Sequence, residues 1–87
     1  MNPTVRTVRP LSSYRLLLGF SNGEQRVFDA SSYLSLGVFQ ELRDPSRFAA
    51  ARVVAGSVEW PGEIDLSYDT LYLDSQPLEG TATQAAI

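Results

Sequence analysis

Apolar positions along this chain change their period twice. From Thr4 to Arg9 β-branched residues dominate without a breaker, which predicts a strand that Pro10 ends. Between Ser13 and Phe20 the pattern alternates, with Tyr14, Leu16, Leu18 and Phe20 on one face and Arg15, Leu17 and Gly19 on the other. Asn22-Gly23 follows. This pair between extended runs is a strong hairpin signal, because both residues tolerate the positive φ of a type I′ turn. Glu24 to Asp29 is the return strand, with Val27 and Phe28 on opposite faces.

The period then lengthens. Leu36, Phe39 and Leu42 recur at a spacing of three with Val38 beside them, which predicts a short amphipathic helix of about two to three turns. Ser32 or Ser35 would cap it, and Gly37 weakens it. Asp44-Pro45 stops it. Pro45 suits a first helical position, so Ser46-Arg47-Phe48 forms one more turn and delivers Phe48 to the core.

Alternation returns at Arg52 to Ala55 and Val58 to Trp60, joined by a tight turn at Gly56-Ser57. Pro61-Gly62 reverses the chain into an extended Ile64-Asp65-Leu66. Ser67 then caps a last short helix carrying Tyr68, Leu71 and Tyr72, with Asp69 favourable in its first turn. A strand is the rival here, since Ile64, Leu66, Tyr68 and Tyr72 also alternate. From Gln76 to Ile87 there is little to bury, which predicts a flexible tail. The expectation is one α+β domain over residues 1–75: two layers, an antiparallel sheet of about five strands, and one or two short helices on one face.

Composition narrows the chemistry. Cys, His and Lys are all absent, and the seven basic residues are all Arg. That removes disulfides, the thiolate nucleophile, the usual general base near neutral pH and the Schiff-base amine. No enzyme, no catalytic residue and no cofactor is therefore expected. Nothing resembles a signal peptide or a membrane span, so a cytoplasmic protein is the expectation.

Charge is unevenly distributed within the net −3. Residues 1–52 hold all seven Arg against four acids, and residues 53–87 hold six acids and no base. The simplest expectation is that the two parts partly compensate each other in the fold. The carboxylates Glu59, Glu63, Asp65, Asp69 and Asp74 raise a metal site, but their spacing is not that of an EF-hand loop, so a solvated acidic face is expected and no metal. Glu63 and Asp65 on one side of a strand also raise a carboxylate-based hydrolase, for which the chain is short.

Two surfaces remain as candidates. The first is a partner-binding surface of Trp60, Glu63, Asp65, Tyr68, Asp69 and Tyr72, acidic and aromatic together. Trp60 has a second reading as the centre of the core. The other surface is a basic stripe of Arg6, Arg9, Arg15 and Arg26 on the N-terminal strands, suited to nucleic acid or an acidic partner. That stripe lacks interleaved stacking aromatics, and the net acidity of the chain works against phosphate binding.

The order Tyr14-Arg15-Leu16-Leu17-Leu18-Gly19-Phe20, Asn22-Gly23-Glu24, Val27-Phe28-Asp29, Gly37-Val38-Phe39, then Val58-Glu59-Trp60-Pro61, Ile64-Asp65-Leu66 and Leu71-Tyr72 resembles the bacterial domain of unknown function 2442 family over residues 4–75. The resemblance implies a two-layer α+β fold and no agreed activity or catalytic residue. Its members stand alone, beside a second short family in apparent toxin–antitoxin pairs, or fused to a helix-turn-helix domain, for which no counterpart is expected here. The functional expectation is a small protein-interaction module, antitoxin-like or regulatory in a two-gene pair. Its partner is another protein, with a homo-dimer through an unprotected sheet edge also open. The alternatives are a nucleic-acid-associated regulator and the carboxylate-based hydrolase.

Overall fold

The computed structural model describes residues 1–78. Seven strands form two antiparallel sheets rather than one sheet of about five. β1 (Val5–Leu11), β2 (Arg15–Phe20), β3 (Gln25–Asp29) and β7 (Gln76–Pro77) form a four-stranded sheet in the order β1-β2-β3-β7. β4 (Arg52–Val54), β5 (Ser57–Trp60) and β6 (Ile64–Leu66) form a three-stranded sheet in chain order. The helical elements α1 (Pro45–Phe48) and α2 (Tyr68–Leu73) complete an α+β fold.

The inward faces of both sheets meet in one core. Leu16, Leu18, Phe20 and Phe28 come from the larger sheet, Val58, Trp60, Ile64 and Leu66 from the smaller, and Leu71 from α2. Trp60 sits near the centre. It is 1% exposed, its indole Nε1–H donates to the Phe48 carbonyl at 2.9 Å, and its ring lies 6.0 Å from that of Phe48. An indole buried with its donor satisfied stabilises by apolar burial without a desolvation cost.

The expected cap at Ser67 is present, and Asp44, read from the sequence only as a stop before Pro45, also caps. Asp44 accepts from the Ser46 N–H at 3.0 Å with Pro45 opening α1. Ser67 accepts from the Thr70 N–H at 3.4 Å, and 68–73 is a helix rather than a strand. The region of spacing three differs from expectation. Gly37–Arg43 is a 3-10 helix with no serine cap, and only Leu42 in it is buried, while Leu36 and Val38 are each 54% exposed. Three residues per turn is the period of a 3-10 helix, so that spacing stacks side chains along one edge instead of an α-helical face.

Three further expectations change. Pro10 lies inside β1, opposite Leu16, instead of ending it. β1 is an edge strand, where a missing N–H is tolerated. Gln76 and Pro77, expected in the tail, pair with Val27 and Arg26 of β3, whereas residues 79–87 of that tail lie outside the described residues. The two-residue turn with paired positive φ is not Asn22-Gly23 but Ala55-Gly56, at φ 51° and 82° between the paired Val54 and Ser57. At the first hairpin only Gly23 has positive φ, closing a three-residue turn. Asn22 contributes through its side chain, accepting the Glu24 N–H at 3.0 Å.

Candidate functional site

The proposed acidic and aromatic surface separates into distinct environments. Trp60 leaves it altogether, because a side chain closed into the core with its donor spent on Phe48 offers a partner nothing. Glu63 stays exposed in the turn before β6, and Asp65 stays exposed on the three-stranded sheet. Register places Glu59 between Arg52 and Asp65, so these three side chains share the outward face. Arg52 pairs with Glu59 at 3.0 Å, leaving Asp65 and the turn residue Glu63 without a basic neighbour in the ion pairs of the described residues. A shallow depression of about 480 Å³ runs over Arg52, Glu59, Pro61, Gly62, Glu63 and Asp65.

Asp69 lies elsewhere, in the first turn of α2, where it accepts from the Asn2 amide at 3.0 Å. Tyr68 is half-buried against the core, and its backbone N–H donates to Ser57 Oγ at 3.1 Å. Tyr72 turns toward the other sheet. Its ring packs edge-on to Phe20 at 5.1 Å, and its hydroxyl donates to Glu24 Oε1 at 2.9 Å. That bond is the main reason the Glu24 carboxyl is held below its usual value and the Tyr72 hydroxyl above its own.

The basic stripe also divides. Arg6, Arg9 and Arg15 are exposed. Arg26 is not part of that face, because it pairs with Leu18 and so points inward with Leu16 and Phe28. Its side chain is 15% exposed. The guanidinium lies 4.5 Å from the Tyr72 ring centroid, donates to Ser75 Oγ at 2.6 Å and to the Ser75 carbonyl at 2.9 Å, and pairs with Glu24 at 3.1 Å. Each of the three guanidinium nitrogens donates one hydrogen bond within the fold, which assigns Arg26 to joining β3, α2 and β7.

Charge compensation between the two parts of the chain is slight. Of the three ion pairs among the described residues, Arg26–Glu24 and Arg47–Glu41 lie within the first part, and only Arg52–Glu59 spans both. Nor do three acidic side chains gather as a metal-binding set among the described residues. The Arg26–Ser75 clamp was missed in the sequence, although a signal existed. Alternation along β3 puts Arg26 on the side of Phe28, and a cation on an inward face needs dedicated partners.

Fold and surfaces together define a small α+β protein of two sheets on one core, with exposed charge on both sheet faces and on the helical segments. A family model described as "Protein of unknown function (DUF2442)" matches residues 5–77, and the chain belongs to that family. The match runs from the first residue of β1 to the last of β7, so it spans both sheets. No curated protein and no solved structure matches the chain. No helix among the described residues is long and apolar enough to cross a membrane.

Proposed function

We propose that this protein is an interaction module of the cytoplasm that holds another protein, as the antitoxin-like or regulatory member of a two-gene pair would. The observation that carries the reading is the outward face of the three-stranded sheet. There Glu63 and Asp65 stand exposed beside a Glu59 already matched by Arg52, so the face keeps unneutralised negative charge along the depression at the Pro61-Gly62 turn. Such a face suits a basic surface on a partner, and the charge steers encounter more than it sets final affinity. Without His, Cys or Lys the chain is better equipped to hold a partner than to transform a substrate.

The test is capture from native lysate with the unaltered protein and with Glu63→Gln/Asp65→Asn, read by mass spectrometry. A partner retained by the first and lost by the second supports the surface. Equal retention of every partner rejects it. A nucleic-acid role draws on the exposed Arg6, Arg9 and Arg15, which form no ion pair among the described residues. With Arg26 turned inward that face is short of cations, and a gel shift at low salt decides it.

A further inference from the structure

The four-stranded sheet has an outward face that nothing among the described residues covers. Thr7, Arg9, Arg15, Gln25, Asp29 and Gln76 on it are exposed, and Leu17 and Val27 at its middle are only half-buried. Register orders this face in rows across the strands. One row runs Leu11 on β1, Arg15 on β2 and Asp29 on β3, and the next runs Arg9, Leu17, Val27 and Gln76 from β1 to β7. Cations therefore lie toward β1, the carboxylate lies toward β7, and an apolar pair sits between them.

We infer that this face pairs with the same face of a second copy of the chain, about a two-fold axis parallel to the strands and passing between β2 and β3. Such a rotation exchanges the β2 and β3 sides while keeping each row in place. It sets Arg15 over Asp29 of the second copy and Asp29 over its Arg15. It also sets Leu17 over Val27, Val27 over Leu17, and Arg9 over Gln76. A closed two-fold interface requires this self-complementarity, in which each contact occurs twice. Face-to-face packing of aligned sheets tolerates the angle of about 30° that sheet twist imposes.

The sheet edge is a poorer choice for the same partner. β1 carries Pro10, a register shift between Val5 and Thr7, and exposed Arg6 and Arg9, all of which discourage strand addition. The face is small. Strand spacing of about 4.8 Å and rise of about 3.3 Å give roughly 300 Å² of flat contact, below the roughly 800 Å² per partner of a standard interface. The dimer is accordingly weak and charge-dependent.

Sedimentation velocity on the full chain from about 10 µM to 1 mM tests this, with concentrations chosen to bracket weak association. The expected result is a monomer–dimer equilibrium that weakens in 0.5 M salt, where the screening length falls to about 4 Å. Arg15→Asp and Asp29→Arg each raise the dissociation constant at least about tenfold, and the double swap restores it. Leu17→Gln, at a half-exposed position, weakens the dimer while circular dichroism stays unchanged. A chain monomeric throughout, or a dimer indifferent to Arg15→Asp and Leu17→Gln, overturns the inference. Glu63→Gln/Asp65→Asn leaves this equilibrium unchanged, so failure here and failure of the acidic face are read separately.

Discussion

The two sheets share a core and differ on their outer faces. The four-stranded sheet keeps Leu17 and Val27 at the middle of its open face, with Arg9, Arg15 and Asp29 around them. The three-stranded sheet keeps no apolar pair there and presents Arg52, Glu59 and Asp65 in one row. The difference shows that the charge asymmetry of the chain is largely kept apart on surfaces instead of cancelled in the interior. It also separates two kinds of position: inward residues that bind the sheets into one unit, and outward residues that the shared core does not use.

Trp60→Ala is the most severe way to break that comparison. Losing the buried indole and its bond to Phe48 should cost about 3–5 kcal/mol, and both sheets should unfold in one denaturant transition. Two separate transitions would show that the sheets are independent. Gly56→Val comes next. The φ of 82° disfavours any Cβ, and one placed there lies 2.9 Å from Thr4 Cβ, so a loss of about 1–3 kcal/mol is expected by chemical denaturation.

Tyr72→Phe has a smaller effect, visible mainly in its pH dependence. Glu24, Asp29 and Asp44 are all held below their ordinary values of 4.5, 3.8 and 3.8, by Tyr72, Ser31 and Ser46 respectively. Groups lowered on folding stabilise the native state above their unfolded pKa, and that contribution is lost as pH falls through the folded one. Stability should hold from neutrality to about pH 4.5 and decline below it. Tyr72 is shifted upward by the same bond, so its contribution is complete below its ordinary value of 10.0 and is lost as pH rises past its folded pKa. Tyr72→Phe should therefore lower stability on the plateau and shallow both limbs. Thermal melts across pH check this, and limbs identical to those of the parent chain would exclude the Glu24 bond as their cause.

At the small end, Ala55→Gly relieves a non-glycine residue at φ 51° and should stabilise by about 0.5 kcal/mol in the same assay. Glu63→Gln/Asp65→Asn should change stability by no more than about 0.5 kcal/mol while altering partner capture. A large stability loss there would erase the distinction between inward and outward residues.

Features set by neighbouring residues were legible in the chain. Asp44 with Pro45, Ser67 before Tyr68, and the alternation of Leu16, Leu18 and Phe20 each follow from one local rule, and each is present. What depended on distant partners was not. The division into two sheets depends on strand pairing that no local pattern records. Gln76-Pro77 is polar and contains a proline, yet β3 recruits it as a strand. The type I′ signature pointed to Asn22-Gly23, whereas pairing of Val54 with Ser57 imposes those dihedrals on Ala55-Gly56. Of the acidic surface, Glu63 and Asp65 were placed correctly as exposed. Trp60 follows its second reading, as the centre of the core, and Tyr72 turns to Glu24; an aromatic side chain carries the same sequence signal whether it meets a partner or the interior, so the two readings stood side by side.

The clamp between Arg26 and Ser75 also bears on how the chain comes off the ribosome. Arg26 emerges 49 residues before the serine that receives its guanidinium. Until that serine clears the exit tunnel, the larger sheet holds an inward cation lacking two of its acceptors and an edge that β7 has not closed. Closure of the domain is thus deferred almost to the end of the family-matched segment, and a nascent chain halted before Ser75 carries a built-in mark of incompleteness.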